Sequence, residues 1–189
     1  MVFQTLARAQ KKARREGRTI VWVDEAGFYL LAGVVRSYAP RGQTPQLRVP
    51  LSRDHLAAIS GITEQGRLLM QLQEQAFHGM EVVRFLKHLR RHINSKLLII
   101  WDGVPIHRDK AVAAFLASDE GKQVWVEQLP GYAPDLNPDE GVWDYLKYVE
   151  LRNLCCHDLD ELRREVRCAF ARLRRKPNLI RSFFKHYGY

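Results

Sequence analysis

Two short, unbroken apolar runs that each end on an aspartate constrain this chain most. Thr19-Ile20-Val21-Trp22-Val23 is followed by Asp24, and Leu97-Leu98-Ile99-Ile100-Trp101 is followed by Asp102. A run this short and this continuous suits a strand covered on both faces, as in a central sheet flanked by helices. A carboxylate at the end of such a strand is costly unless something compensates its charge. A third acid, Glu140, stands in the stretch Leu129-Pro130-Gly131-Tyr132-Ala133-Pro134-Asp135-Leu136-Asn137-Pro138-Asp139-Glu140-Gly141-Val142-Trp143. Acids brought from three distant segments suggest a shared cation, and hard oxygen ligands suit magnesium or manganese.

The order of elements supports an α/β chain with a mixed central sheet. Residues 1–18 read as a basic helix or linker remnant carrying Arg8, Lys11, Lys12, Arg14, Arg15 and Arg18, with Leu6, Ala9 and Ala13 on an apolar side and Gly17 closing it. Residues 19–189 read as one further unit. A strand from Thr19 carries Asp24, and Gly27 is expected to turn into a second strand, Phe28–Val35. Pro40, Gly42 and Pro45 mark a loop. Strands are expected over His55–Ile62 and Arg67–Leu72 with Gly66 between them. A helix from Gly79 to about Ile93 follows, with Val82, Phe85, Leu86, Leu89 and Ile93 at helical spacing. Arg84, Lys87, His88 and Arg91 fall on its other, solvated face.

Leu97–Trp101, a helix over Ile106–Ser118 and a strand over Gln123–Gln128 form a parallel crossover unit. Helices then start near Pro138, at the capping-box sequence Asp158-Leu159-Asp160-Glu161, and at Pro177. The second of these buries Leu162, Val166, Phe170 and Leu173.

Composition narrows the chemistry. The chain of 189 residues carries a formal net charge of +9, and a basic globule with an acidic pocket suits a polyanionic substrate held near a metal. Cys155, Cys156 and Cys168 make no disulfide framework, and Cys155-Cys156-His157 lacks a second ligand pair at zinc spacing. No secretory leader pattern and no apolar run near ~20 residues occurs, so a cytoplasmic location without a membrane is expected.

The motifs resemble the DDE transposase catalytic domain, in the bacterial insertion-sequence branch related to the mariner elements. The matching stretches are Trp22-Val23-Asp24-Glu25-Ala26-Gly27, Tyr38-Ala39-Pro40-Arg41-Gly42, Ile99-Ile100-Trp101-Asp102-Gly103-Val104-Pro105-Ile106-His107, and Leu129 to Lys147. The last is the most specific. The resemblance implies a ribonuclease-H-like fold, with a mixed central sheet flanked by helices. It also implies a catalytic and metal-binding triad of Asp24, Asp102 and Glu140 that holds two Mg2+ or Mn2+ ions. The last two acids are 140 − 102 = 38 residues apart, which fits a strand, crossover helix, strand, loop and helix. Two ions about 4 Å apart activate a water or a 3′-hydroxyl and stabilise the leaving oxygen of a phosphodiester. Positioning and charge then do most of the chemistry.

The implied activity is cleavage at element ends followed by joining of the 3′-hydroxyl to target DNA, of TA type. The implied partners are double-stranded DNA, an upstream helix-turn-helix domain or subunit, and a second copy in the active homodimer, in a bacterial, nucleoid-associated setting. A domesticated DNA-binding module and a nuclease that does not transfer strands are the alternatives. The sequence departs from the family pattern at Gly103, where Asn is common, at Gly131 for Pro, at Ala133 for Ser, and at Asp139 for an apolar residue.

Neighbouring residues divide by periodicity. Glu25 follows Asp24 on a strand and points to the opposite face. Asp139 lies about 100° from Glu140 on a helix, and Asp135 suits a turn contact. His107 matches a family position near the second acid, where it either orients phosphate or serves as a satisfied structural residue. Tyr132 and Asn137 shape the loop, while Trp143 and Tyr145 either stack on a flipped base or belong to the core. From Arg163 to Lys185 there are nine Lys or Arg and one acid, Glu165. Arg163, Arg164, Arg167, Arg174 and Arg175 fall outward and are expected to touch DNA phosphates.

Overall fold

The structure is a computed structural model that describes residues 2–31, 35–36, 38–43, 46–47, 52–130 and 136–186. A five-stranded sheet is built from β1 (Thr19–Tyr29), β2 (His55–Ile62), β3 (Leu68–Gln73), β4 (Leu97–Trp101) and β5 (Val124–Gln128), in the spatial order β3-β2-β1-β4-β5. The pairs β1–β2 and β2–β3 are antiparallel, and β1–β4 and β4–β5 are parallel. The tight turn between β2 and β3 places Gly66 at φ +85°, a conformation that a side chain resists.

Alternation along the strands sends successive residues to two different cores. Ile20, Trp22, Phe28, Leu98 and Ile100 face α1 (Val2–Arg15), α4 (Glu140–Tyr145), α5 (Leu159–Arg174) and α6 (Pro177–His186). Val21, Val23, Ile99 and Trp101 face α2 (Gly79–His92) and α3 (Lys110–Ala117). All five residues of β4 are buried, as expected for a central strand between two helical layers. The basic helix α1 lies on the first core through Leu6, Ala9 and Ala13, and Arg14 pairs with Glu64 of the β2–β3 turn at 2.7 Å.

Three local expectations are corrected. Gly27 makes no turn: β1 runs through it to Tyr29, because the ladder with β2 continues from Trp22↔Ile62 to Tyr29↔His55. Phe28 and Tyr29 are therefore the end of β1, and residues 32–34 lie outside the described residues. The helix expected over Ile106–Ser118 is broken at Asp109, whose carboxylate accepts from Ala111 N at 2.7 Å. This caps α3 and leaves a separate 3-10 turn over Pro105–Arg108. The helix after the Pro-rich loop starts at Glu140 rather than near Pro138, and α4 runs directly into one π turn, Leu146–Glu150. There Leu151 N donates to Leu146 O at 2.9 Å.

The Asp158 cap forms as expected, with its carboxylate accepting from Glu161 N at 2.7 Å. Glu161 reaches back to His157 N at 2.7 Å. Behind that cap Leu162, Val166, Phe170 and Leu173 are buried. Cys156 is buried and Cys168 exposed, and all three cysteines are free thiols. No helix among the described residues is long and apolar enough to cross a membrane.

Candidate active site

The first two acids come from neighbouring strands of the sheet. Trp22 of β1 pairs with Ile100 of β4, the last pair of that parallel ladder. Asp24 follows two residues later in β1, and Asp102 comes directly after the end of β4, near enough for its charge to add to the raising of Asp24. On its other side Asp24 pairs with Ser60 of β2. Ser60 and Asp24 thus form a cross-strand pair, and Asp102 follows the end of the neighbouring parallel strand.

Glu140 is the first residue of α4 and stands close enough to Asp24 for its charge to help raise that carboxyl. From the next turn of the same helix, Trp143 Nε1 donates to Asp24 Oδ2 at 3.0 Å. Burial, and then the neighbouring Glu140 and Glu25, push Asp24 up to about 8. Glu140 is also raised, first by burial and then by Asp144. Carboxyls raised by burial and by one another are a donor set short of positive charge.

Asp102 differs. Burial alone would raise it, but hydrogen bonds from His107 and from the Val104 amide bring it below the ordinary carboxylate value. His107 is buried and stacked flat on Trp101, with ring centroids 4.0 Å apart. Its Nδ1 lies 3.0 Å from Asp102 O and 3.2 Å from Asp102 Oδ1, and its Nε2 lies 2.9 Å from Glu25 Oε1. Burial would lower the imidazole, yet Asp102 and Glu25 lift it to about 9. His107 is therefore a charged bridge between two carboxylates. Glu25, Asp102 and His107 also place one ligand atom each within 4.8 Å of one another, so Asp102 is common to two acidic groups.

The site contains more than its motif. Glu25 does point away from Asp24, into the α2–α3 side of the sheet, yet it joins the site through His107. Asp139 is no bystander at the helix start. It is wholly buried and accepts from Ser60 Oγ at 2.7 Å. Burial and the nearby Asp24 hold its carboxyl well above the ordinary value. Asn137 shapes the loop by donating from Nδ2 to Val23 O at 3.2 Å.

Trp143 belongs to the core and supplies the hydrogen bond to Asp24, while Tyr145 is tied to Glu150 at 3.1 Å and receives Lys176 Nζ at 2.8 Å. Two sequence signals were available for what the motifs omit. Trp143 follows Glu140 by three residues, hence shares its helical face, and Ser60 is the one hydroxyl in the apolar run His55–Ile62. Tyr132 and Asp135 lie outside the described residues.

The basic helix α5 is divided. Arg163 is held by Asp160 at 2.7 Å and by Glu74, which removes it from the outward set. Arg164, Arg167, Arg174 and Arg175 are exposed. Arg172 is spent on Glu150 at 2.6 Å.

Comparison with solved structures agrees with this architecture. The mariner Mos1 paired-end complex with Mg matches with a TM-score of 0.71 at 18% identity, over 97% of this chain and 57% of that one. The Mos1 strand transfer complex matches with a TM-score of 0.67 at 18% identity, over 100% of this chain and 59% of that one. The isolated Mos1 catalytic domain matches with a TM-score of 0.58 at 14% identity, over 98% of this chain and 91% of that one. The chain thus spans about three-fifths of the length of the Mos1 chains in the two complexes. These likenesses establish the ribonuclease-H-like fold. No curated protein sequence matches. The sequence profile of one family does match, over residues 19–163, and the chain belongs to that family, the DDE superfamily endonucleases.

Proposed function

We propose that this chain is the catalytic domain of a metal-dependent DNA transposase of the bacterial insertion-sequence type. It would cleave phosphodiester bonds at element ends and join the 3′-hydroxyl to target DNA. One observation carries the reading: the helix that begins at Glu140 docks on Asp24 through Trp143 Nε1 at 3.0 Å, and Asp24 lies in the strand parallel to β4, whose end Asp102 follows.

The donor set fits divalent metal. Asp24, Asp102 and Glu140 offer hard oxygen ligands, and the raising of Asp24 to about 8 and of Glu140 above its ordinary value marks missing positive charge. We assign these three side chains to two Mg2+ or Mn2+ ions. Bound there, the ions supply Lewis-acid charge to the attacking and leaving oxygens of a phosphodiester.

The rest falls to the protein. Asp24, pushed up to about 8, would release its proton as the site fills. Trp143 keeps Asp24 in one rotamer, and His107 does the same for Asp102. The side chain of Asp102 retains 40% of its surface, which leaves it open toward a ligand. Exposed Arg164, Arg167, Arg174 and Arg175 suit non-specific phosphate contacts that hold a duplex without reading it. Double-stranded DNA, an upstream helix-turn-helix unit and a second copy of the chain complete the proposed assembly. The Mos1 structures, which include paired-end and strand transfer complexes and forms with Mg and Mn, support this reading, as does the motif resemblance.

The test is a labelled duplex incubated with Mg2+ or Mn2+. Asp24→Asn, Asp102→Asn and Glu140→Gln should each abolish nicking while duplex binding persists. Nicking that survives any of the three would overturn the assignment. Nicks without joined products would favour a nuclease that lacks strand transfer.

A further inference from the structure

Asp24 is fixed by the β1–β2 ladder, and Asp102, directly after β4, by the Val104 amide and His107, but Glu140 enters from a loop and has no ladder. Its placement therefore depends on side-chain contacts between Leu136–Trp143 and the sheet. Three such contacts converge on Asp24. Asn137 Nδ2 donates to the carbonyl of Val23, the residue before Asp24, at 3.2 Å. Trp143 Nε1 donates to Asp24 itself at 3.0 Å. Ser60, the cross-strand partner of Asp24, donates from Oγ to Asp139 Oδ2 at 2.7 Å.

The last contact is the least expected. Ser60 and Asp139 are both 0% exposed, and Asp139 Oδ1 has no hydrogen-bond partner among the described residues. A buried carboxyl with a single partner is costly, and an apolar side chain of similar size would fill the space at lower cost. What an apolar residue lacks is direction, because a hydrogen bond fixes one rotamer and one register where packing tolerates several. Asn137 Oδ1 adds to this by accepting from Asp139 N at 3.2 Å, joining the two loop contacts into one unit.

We propose that Ser60 and Asp139 form a buried latch that sets the position of Glu140 against Asp24, which makes both of them positioning residues for the third carboxylate. The proposal rests on the reading of Asp24, Asp102 and Glu140 as the metal-holding group. It predicts that breaking the latch loosens the first turn of α4 and misplaces one ligand, while the sheet stays intact.

The experiment has two readouts on the full chain. The first is amide hydrogen exchange over residues 136–145 without metal, where Glu140, Gly141 and Val142 N–H bond back to Asn137, Pro138 and Asp139 O. The second is Mn2+ affinity, measured by electron paramagnetic resonance of the free ion. Ser60→Ala and Asp139→Leu should each speed exchange in this segment about tenfold, leave β4 amides unchanged, and weaken Mn2+ binding about tenfold. Asp139→Asn keeps an oxygen for the Ser60 hydroxyl and should stay close to the parent in both.

Unchanged exchange and affinity in folded Ser60→Ala would overturn the latch. So would Asp139→Asn as loose as Asp139→Leu, or faster exchange with undiminished Mn2+ affinity. If Ser60→Ala does not fold, the comparison of Asp139→Asn with Asp139→Leu decides alone. If the parent and Asp24→Asn bind Mn2+ equally, the metal-site reading fails, while the exchange data still decide whether the latch holds Glu140.

Discussion

Replacing Asp24 by Asn should stabilise the metal-free protein. The folded state holds the Asp24 proton up to about pH 8, against an ordinary value of 3.8. The folded chain therefore binds more protons than the unfolded one across that interval, and stability falls as pH rises through it, then levels off. Each pH unit costs about 1.4 kcal/mol, so from about pH 5 to about pH 8 the ceiling is about 4 kcal/mol. Water access and coupling to Glu140 reduce this to about 2–4 kcal/mol. Asn is neutral at every pH and keeps an oxygen for Trp143 Nε1, so Asp24→Asn escapes the penalty.

In EDTA near pH 8 the variant should melt roughly 5–15 °C above the parent, at 2–4 °C per kcal/mol for a chain of this size. Near pH 5 most of that gap should close. Mg2+ or Mn2+ at about 100 times its dissociation constant should return about 2.7 kcal/mol to the parent and almost nothing to the variant. The assay is thermal melting by circular dichroism at the two pH values, with and without metal. A variant no more stable than the parent near pH 8 in EDTA, or equal pH dependence in both, would refute the reasoning.

Three further outcomes follow from the geometry. His107→Ala strands the Glu25 and Asp102 carboxylates and should cost about 2–4 kcal/mol by urea unfolding near pH 7. Because the imidazole is raised to about 9, the stability that this bridge contributes should be full below about pH 6.5 and lost as pH rises through about 9. Gly103→Asn, which restores the amide common beside the second acid, should fold normally because a Cβ there meets nothing within 4 Å. A stability change beyond about 0.5 kcal/mol would contradict that open space. Joint replacement of Arg164, Arg167 and Arg174 by Ala should weaken binding to unrelated duplexes about equally. It should also make the slope of log affinity against log salt shallower by nearly one unit per lost phosphate contact, as read by fluorescence anisotropy over a salt series.

The sequence determined the layered α/β plan, because a fully apolar five-residue run such as Leu97–Trp101 has few stable environments other than the middle of a covered sheet. It also put forward Asp24, Asp102 and Glu140 as the candidate acids, because each stands in a recognisable local frame. Its errors arose where distant partners overrule local preference. Gly27 is a turn former by habit, but eight cross-strand pairs with β2 carry β1 straight through it. Asp109 looked like part of one helix, but it caps a new one. Arg163 looked free on its helix face until Glu74, distant in sequence, reached it.

Only the tertiary structure decided which groups surround each acid. Ser60, Glu25, His107, Asp139 and Trp143 come from separate elements, and no spacing within one element brings Ser60 to Asp139 or His107 to Glu25. Local pattern fixes which face a residue occupies. The register of β1 between β2 and β4, together with the docking of α4 on Asp24, fixes what it meets there, and the charge and proton affinity of the site depend on those meetings.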